Sequence, residues 1–219
     1  MSNYAQARTN MVDCQIHTNG VIDPRILTTF ETLPREEFLP KEIQSIAYKD
    51  EDVALGNGRL LLEPQVHARM VQLVDPKAED SVLVIGDSCG YAAAVFANMV
   101  GTVFTLEDKD ATNQIDKKLQ SLDINNVVTI GGDLTKGDAS KAPFDVIFIN
   151  GAVANVPDAL LNQLSEDGRL VAVVKDAGET MGRVTVFEKA PGGSCSSYPH
   201  FSAGCAYLAG FEPKTQFSF

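Results

Sequence analysis

Basic residues are scarce in this chain: 18 Lys and Arg stand against 29 Asp and Glu, for a formal net charge of −11. A nucleic-acid partner is therefore not expected, because phosphate contacts need clustered Lys and Arg. The same deficit disfavours an anionic membrane surface. Long apolar runs are missing too, and none approaches the ~20 residues of a membrane span. The opening stretch MSNYAQARTNMVDCQI is polar and mixed, so a secretory signal is not expected. The cysteines, Cys14, Cys89, Cys195 and Cys205, show no CxxC spacing. That argues against a metal site and for free thiols in a reducing cytoplasm. There is no internal repeat. Pro191 to Ser197, PGGSCSS, is the nearest approach to low complexity and reads as an exposed loop.

What is present is a chain of 219 residues, 44% apolar, long enough to bury a core as one domain or one domain with an appendage. Its most informative stretch is Ser81 to Ala97, SVLVIGDSCGYAAAVFA. The apolar run Val82–Ile85 ends in Gly86, a short loop (Asp87, Ser88, Cys89) leads to Gly90, and small helix-forming residues follow. That order predicts a parallel strand, a tight turn and a helix, the place where ligands approach the backbone at strand carboxyl ends. Thr102 to Leu106 reads as the next strand and ends at Glu107. An acid at that point can accept hydrogen bonds from both ribose hydroxyls. Together these features point to an adenosine-containing cofactor.

Alternation continues from residue 81. Strands are predicted at 81–86, 102–107, 127–130, 144–149 and 168–174, with helices at 90–100, 110–122 and 157–164. Near-continuous apolar strands alternating with helices mean a parallel sheet covered on both faces. After Gly182 the runs 183–189 and 204–211 look β-like with no helix between them, which predicts a hairpin or antiparallel edge. Upstream, Tyr4 to Ile16 has weak helical spacing. Asp23-Pro24 and Glu63-Pro64 look like helix starts. Ile26, Leu27, Phe30 and Leu33 form one apolar face, and Val66, Met70, Leu73 and Val74 another. The segment 52–62, DVALGNGRLLL, has no helical period and reads as an extended loop or short hairpin.

Several stretches together resemble the protein-L-isoaspartate O-methyltransferase family, of the kind found in bacteria. MVDCQI (11–16) is similar to the family's MVxxQI, and VIDPRILTTFETLPREEFLP (21–40) to its segment ending in P-R-E-x-F. NVVTIGGD (126–133) resembles its third strand, and residues 142–174 its fourth and fifth strands with the helix between. The resemblance implies an α/β, Rossmann-like S-adenosylmethionine methyltransferase fold: a mostly parallel, doubly wound sheet with an antiparallel edge and an N-terminal helical extension. It divides the chain into an extension with a substrate-side loop (1–64) and a methyltransferase domain (65–219). The implied reaction methylates the α-carboxyl of isoaspartyl residues in damaged proteins. The partner is then an isoaspartyl protein or peptide, the cofactor S-adenosylmethionine and the location cytoplasmic.

Carried over position by position, the resemblance places the cofactor at Gly86, Asp87, Ser88, Cys89 and Gly90, at Glu107 and Asp108, and at Gly132, Asp133 and Leu134. His67 stands where some relatives carry a cofactor-contacting histidine. The departures fall in these same stretches. The family's active-site serine position is Leu62, so no catalytic residue is assigned. The first acid of the glycine loop is Val84 and its middle glycine is Ser88. The usual Gly-Asp-Gly reads Gly132-Asp133-Leu134, and the usual Thr-Ala-Ala reads Asn150-Gly151-Ala152. Arg59 reads as a solvated loop arginine or a substrate-carboxylate partner, and Glu36 and Glu37 as a solvated turn. Two rival readings stay open at this point. One is a repurposed, non-catalytic relative that binds a nucleotide or protein partner. The other is a nicotinamide-dependent oxidoreductase, disfavoured by the missing middle glycine.

Overall fold

A computed structural model describes residues 3–214. The chain opens with α1 (Tyr4–Met11), which continues through a single wide π turn, and α2 (Pro24–Thr32). The α2 start follows its sequence signal: Asp23 Oδ1 accepts from the Arg25 backbone N–H at 2.8 Å, and Pro24 takes the first helical position. Ile26 and Phe30 are fully buried, while Leu27 is half-buried. A small antiparallel hairpin, β1 (Val53–Gly56) and β2 (Arg59–Leu61), then leads into α3 (Pro64–Val74).

From there strands and helices alternate: β3 (Ser81–Ile85), α4 (Tyr91–Ala97), β4 (Thr102–Glu107), α5 (Lys109–Ser121), β5 (Val127–Gly131), β6 (Phe144–Val153), α6 (Asp158–Leu161), β7 (Leu164–Val174), β8 (Gly182–Lys189) and β9 (Cys195–Ala203). The main sheet has seven strands in the order β5-β4-β3-β6-β7-β8-β9. The first five are parallel; β8 and β9 pair antiparallel at one edge. Strand order reverses between β3 and β6, so a crevice opens beyond the carboxyl ends there. The Rossmann-like methyltransferase architecture with its antiparallel edge is the one expected.

Three details differ from the sequence reading. Helix α6 ends at Leu161 and does not reach 164, because the backbone turns into β7, which pairs Leu164 with Phe144. The last strand is Cys195–Ala203, so it includes part of the stretch read as a loop. Most of its side chains face solvent, and an edge strand held by main-chain bonds to β8 needs no apolar alternation. Residues 204–211 instead run irregularly under the sheet's carboxyl end. They bury Cys205, Leu208 and Phe211 and make one bridge between Tyr207 and Ala152.

The larger core cluster is continuous from Met11, Ile16 and Phe30 of the N-terminal extension to Val82, Val84, Tyr91 and Phe148 of the sheet and α4. At its centre His67 is fully buried among the rings of Phe30, Tyr91 and Phe148, at 5.4, 5.6 and 5.2 Å between centroids. Neither ring nitrogen has a hydrogen-bond partner among the described residues. Burial, with the Arg35 charge nearby, pushes its pKa down to about 3. The native state therefore holds His67 neutral where the unfolded chain, titrating near ~6.5, takes up a proton. Its contribution is fully present above pH ~6.5 and is lost as pH falls toward 3, with a limiting slope of about 1.4 kcal/mol per pH unit. Urea unfolding between pH 4 and 6.5 is expected to show a flatter acid limb for His67→Phe than for the wild type; identical slopes would contradict this placement.

Candidate active site

The turn after β3 supplies the floor of the crevice. Gly86 and Gly90 both adopt left-handed backbone, with φ of 82° and 84°. A Cβ on Gly86 would lie 2.5 Å from Leu208, so this glycine also lets the C-terminal segment close against the turn. Asp87 is fully buried, and its carboxylate accepts from the backbone N–H groups of Gly90 (3.2 Å) and Ala93 (2.8 Å). It therefore caps the first turn of α4 and is not among the side chains that line the cleft. Burial raises its carboxyl to about 6. Burial and the Asp87 charge also push the thiol of the half-buried Cys89 well above its usual range, which disfavours its thiolate. Ser88 and Cys89 are the turn residues that face the cleft.

The cleft measures about 790 Å³ and lies between this turn, the start of α5, the β1–β2 hairpin and the apolar segment Phe38-Leu39-Pro40. Its size suits a nucleoside-bearing cofactor. Glu107 closes β4 at its inner wall, 1% exposed, and Asp108 stands beside it with a 72% exposed side chain. Arg59 of the hairpin reaches down to this acid. Its Nε donates to Glu107 Oε2 at 2.8 Å and to Oε1 at 3.0 Å, and Nη2 donates to Oε1 at 2.5 Å. Nη2 also donates to Asp108 Oδ2 at 2.9 Å, and the Asp108 backbone N–H donates to Glu107 Oε1 at 2.8 Å. Hydrogen bonding to Glu107 raises the Arg59 pKa further, so the guanidinium is charged.

The hairpin turn that presents Arg59 needs three left-handed residues in a row, Gly56, Asn57 and Gly58, which explains its composition. Asn150 joins hairpin to floor. It sits in the irregular part of β6, and its Nδ2 donates to Leu60 O (3.3 Å) and Gly86 O (3.2 Å).

The other expected positions lie elsewhere. The Gly132 backbone N–H donates to Glu107 O at 3.0 Å, which holds the β5 end beside β4. Asp133 caps its own loop: Oδ1 accepts from the Thr135 N–H (3.0 Å) and hydroxyl (2.7 Å), and Lys136 pairs with Oδ2 at 3.0 Å. Leu134 is buried in the second core cluster. His67 is in the core, as described. None of these four lines the cleft. Leu62 is also fully buried, and its carbonyl accepts from Arg35 Nη2 at 2.6 Å. Glu36 is buried and accepts from the Tyr48 hydroxyl, against its reading as a solvated residue, whereas Glu37 stands at the cleft wall within 3.7 Å of Lys118. Arg59 is neither solvated nor free to meet a substrate carboxylate in this conformation. Its sequence signal was the tight Gly-Asn-Gly turn just before it, but nothing local pointed to Glu107, 48 residues away.

The family model for protein-L-isoaspartate(D-aspartate) O-methyltransferase matches residues 6–208. The chain belongs to this family. A protein-L-isoaspartate O-methyltransferase of Pelotomaculum thermopropionicum is 37% identical over 175 residues, covering 80% of this chain and 76% of that protein. One of Methanoregula boonei is 37% identical over 183 residues, covering 83% of each. A solved protein-L-isoaspartate O-methyltransferase superposes with a TM-score of 0.80 at 25% identity, over 94% of this chain and 66% of that one. A Plasmodium falciparum structure assigned to the same class, in complex with S-adenosyl-L-homocysteine, superposes with a TM-score of 0.74 at 19% identity, over 95% and 99% of the two chains. At that identity it supports the fold alone.

Asp87 holds the glycine turn of this methyltransferase-family fold by its cap. Asp87→Ala is expected to lower unfolding free energy by about 1–2 kcal/mol in urea titrations at neutral pH. A variant as stable as the wild type would remove the carboxylate from the turn's architecture.

Proposed function

We propose that this protein is an S-adenosylmethionine-dependent methyltransferase that esterifies the α-carboxyl of isoaspartyl residues in damaged proteins, acting in the cytoplasm. The observation that carries the reading is the cleft at the carboxyl ends of β3 and β4, bounded by the glycine turn and Glu107, in a chain of this family. Free cysteines fit the cytoplasmic location.

The residues present fit the cofactor, with one rearrangement. Glu107 is the acid placed for the ribose hydroxyls, and Ser88 and Cys89 bring the turn to the cleft surface. Arg59 must yield the carboxylate first. When bound, S-adenosylmethionine supplies an electrophilic methyl group. The acceptor carboxylate is ionised at neutral pH, since such groups titrate near ~4, so no side chain has to act as general base. The chain's task is alignment and exclusion of water. Phe38, Leu39, Pro40 and Leu55 form an apolar wall, and Lys109 and Lys118 line the cleft among the acids Glu37, Asp108 and Asp110. Burial of Leu62 explains how the family serine can be replaced here: its side chain belongs to the core, where a hydroxyl would face no ligand.

Three outcomes are expected. Millimolar S-adenosylhomocysteine raises the melting temperature, as any ligand of the native state must. Methyl groups are incorporated into an isoaspartyl peptide and not into its aspartyl twin, and Glu107→Gln loses the incorporation. Absence of both shift and incorporation would favour the repurposed-relative reading. Leu62→Ser is expected to destabilise the fold by about 2–4 kcal/mol without raising the rate per folded molecule. A faster Ser variant would show that position 62 reaches the acceptor.

A further inference from the structure

Glu107 is the ribose acceptor of the proposed function, yet its carboxylate is already gripped by the Arg59 fork, with Nε–Oε2 at 2.8 Å and Nη2–Oε1 at 2.5 Å. A ribose diol and a guanidinium use the same pair of carboxylate oxygens, so the two cannot hold Glu107 together. Both side chains are buried, Arg59 at 7% and Glu107 at 1% exposure, so neither can simply turn into water while the hairpin stays closed. Asp108 offers a second partner. It already contacts Arg59 Nη2 at 2.9 Å, and its side chain is 72% exposed at the mouth of the same cleft. A guanidinium leaving Glu107 for Asp108 keeps a carboxylate and avoids the penalty of an unpaired buried charge. No main-chain ladder ties the hairpin to the seven-stranded sheet, since β1 and β2 form a sheet of their own, so Arg59 reaches Glu107 by its side chain alone.

We propose that Arg59 is an internal competitor for the ribose site, displaced from Glu107 to Asp108 when the cofactor binds, so that this exchange sets cofactor affinity. The inference rests on reading the cleft as the S-adenosylmethionine site. In the free protein Arg59 keeps the buried acid paired; in the complex the ribose hydroxyls take its place.

Calorimetric titration with S-adenosylhomocysteine tests the exchange. Arg59→Met keeps the stem and removes the fork, and its Kd is expected to fall by about fivefold or more, within the usual range of coupling between two binding events. Asp108→Asn removes the second seat, so its Kd is expected to rise by a larger factor in the wild-type background than in the Arg59→Met background. An equal or higher Kd for Arg59→Met would overturn the competitor role. The unsubstituted protein gives a second reading that no folding defect can confuse. The Arg59 Nε–H signal in nitrogen-15 NMR, assigned by its loss in Arg59→Lys, is expected to shift and to exchange faster with water at saturating S-adenosylhomocysteine. A signal unmoved at saturation overturns the exchange and leaves the proposed function standing. No binding by any of these proteins overturns both.

Discussion

The candidate site depends on one buried ion pair. Arg59 and Glu107 come from elements that share no main-chain ladder, a two-stranded hairpin and the second strand of the main sheet. Their bidentate contact, with the Asn150 bridge from Leu60 to Gly86, fixes the hairpin as the roof over the carboxyl ends of β3 and β4. Breaking such a pair by removing one partner costs about 3–5 kcal/mol, because the other charge is left buried alone. The hairpin, the glycine turn and the acid are thus one structural unit, and the cleft is the space they enclose together.

The same constraint separates what a single sequence discloses from what it hides. The β3–turn–α4 unit was legible because its signals are local: Val82–Ile85 is a short apolar run rich in β-branched residues and ended by a glycine, and Gly86 and Gly90 mark the left-handed positions. Glu107 was legible for the same reason, as the acid that ends a strand. Its partner was not, since nothing in Gly58-Arg59-Leu60 says which carboxylate the guanidinium will meet. Its place in the loop makes Asp87 look like a ligand; the structure commits its carboxylate to backbone N–H groups up to six residues on. His67 lies on a helix face it shares with Val71 and Val74, both fully buried, and the spacing i, i+4, i+7 could have placed it in the core. Strand β9 left no periodic trace because an edge strand exposed on most of its length has no apolar face to encode.

The altered motif positions divide along the same line. Leu62 and Leu134 are core residues, so these departures change packing without placing a new group in the cleft. Ser88 does reach the cleft. In the proposed reaction an ionised acceptor asks little of side-chain chemistry beyond alignment. The distinctive feature of this chain is the Arg59 fork that holds Glu107, the acid proposed for the ribose.

A crystal structure of the protein with S-adenosylhomocysteine bound tests this account most directly. Ribose hydroxyls on the Glu107 carboxylate, with the Arg59 guanidinium turned onto Asp108 and the adenosyl group beside Ser88 and Cys89, is the arrangement the account predicts. Ligand density outside this cleft, or ligand within it while the Arg59 fork still grips Glu107, would contradict it.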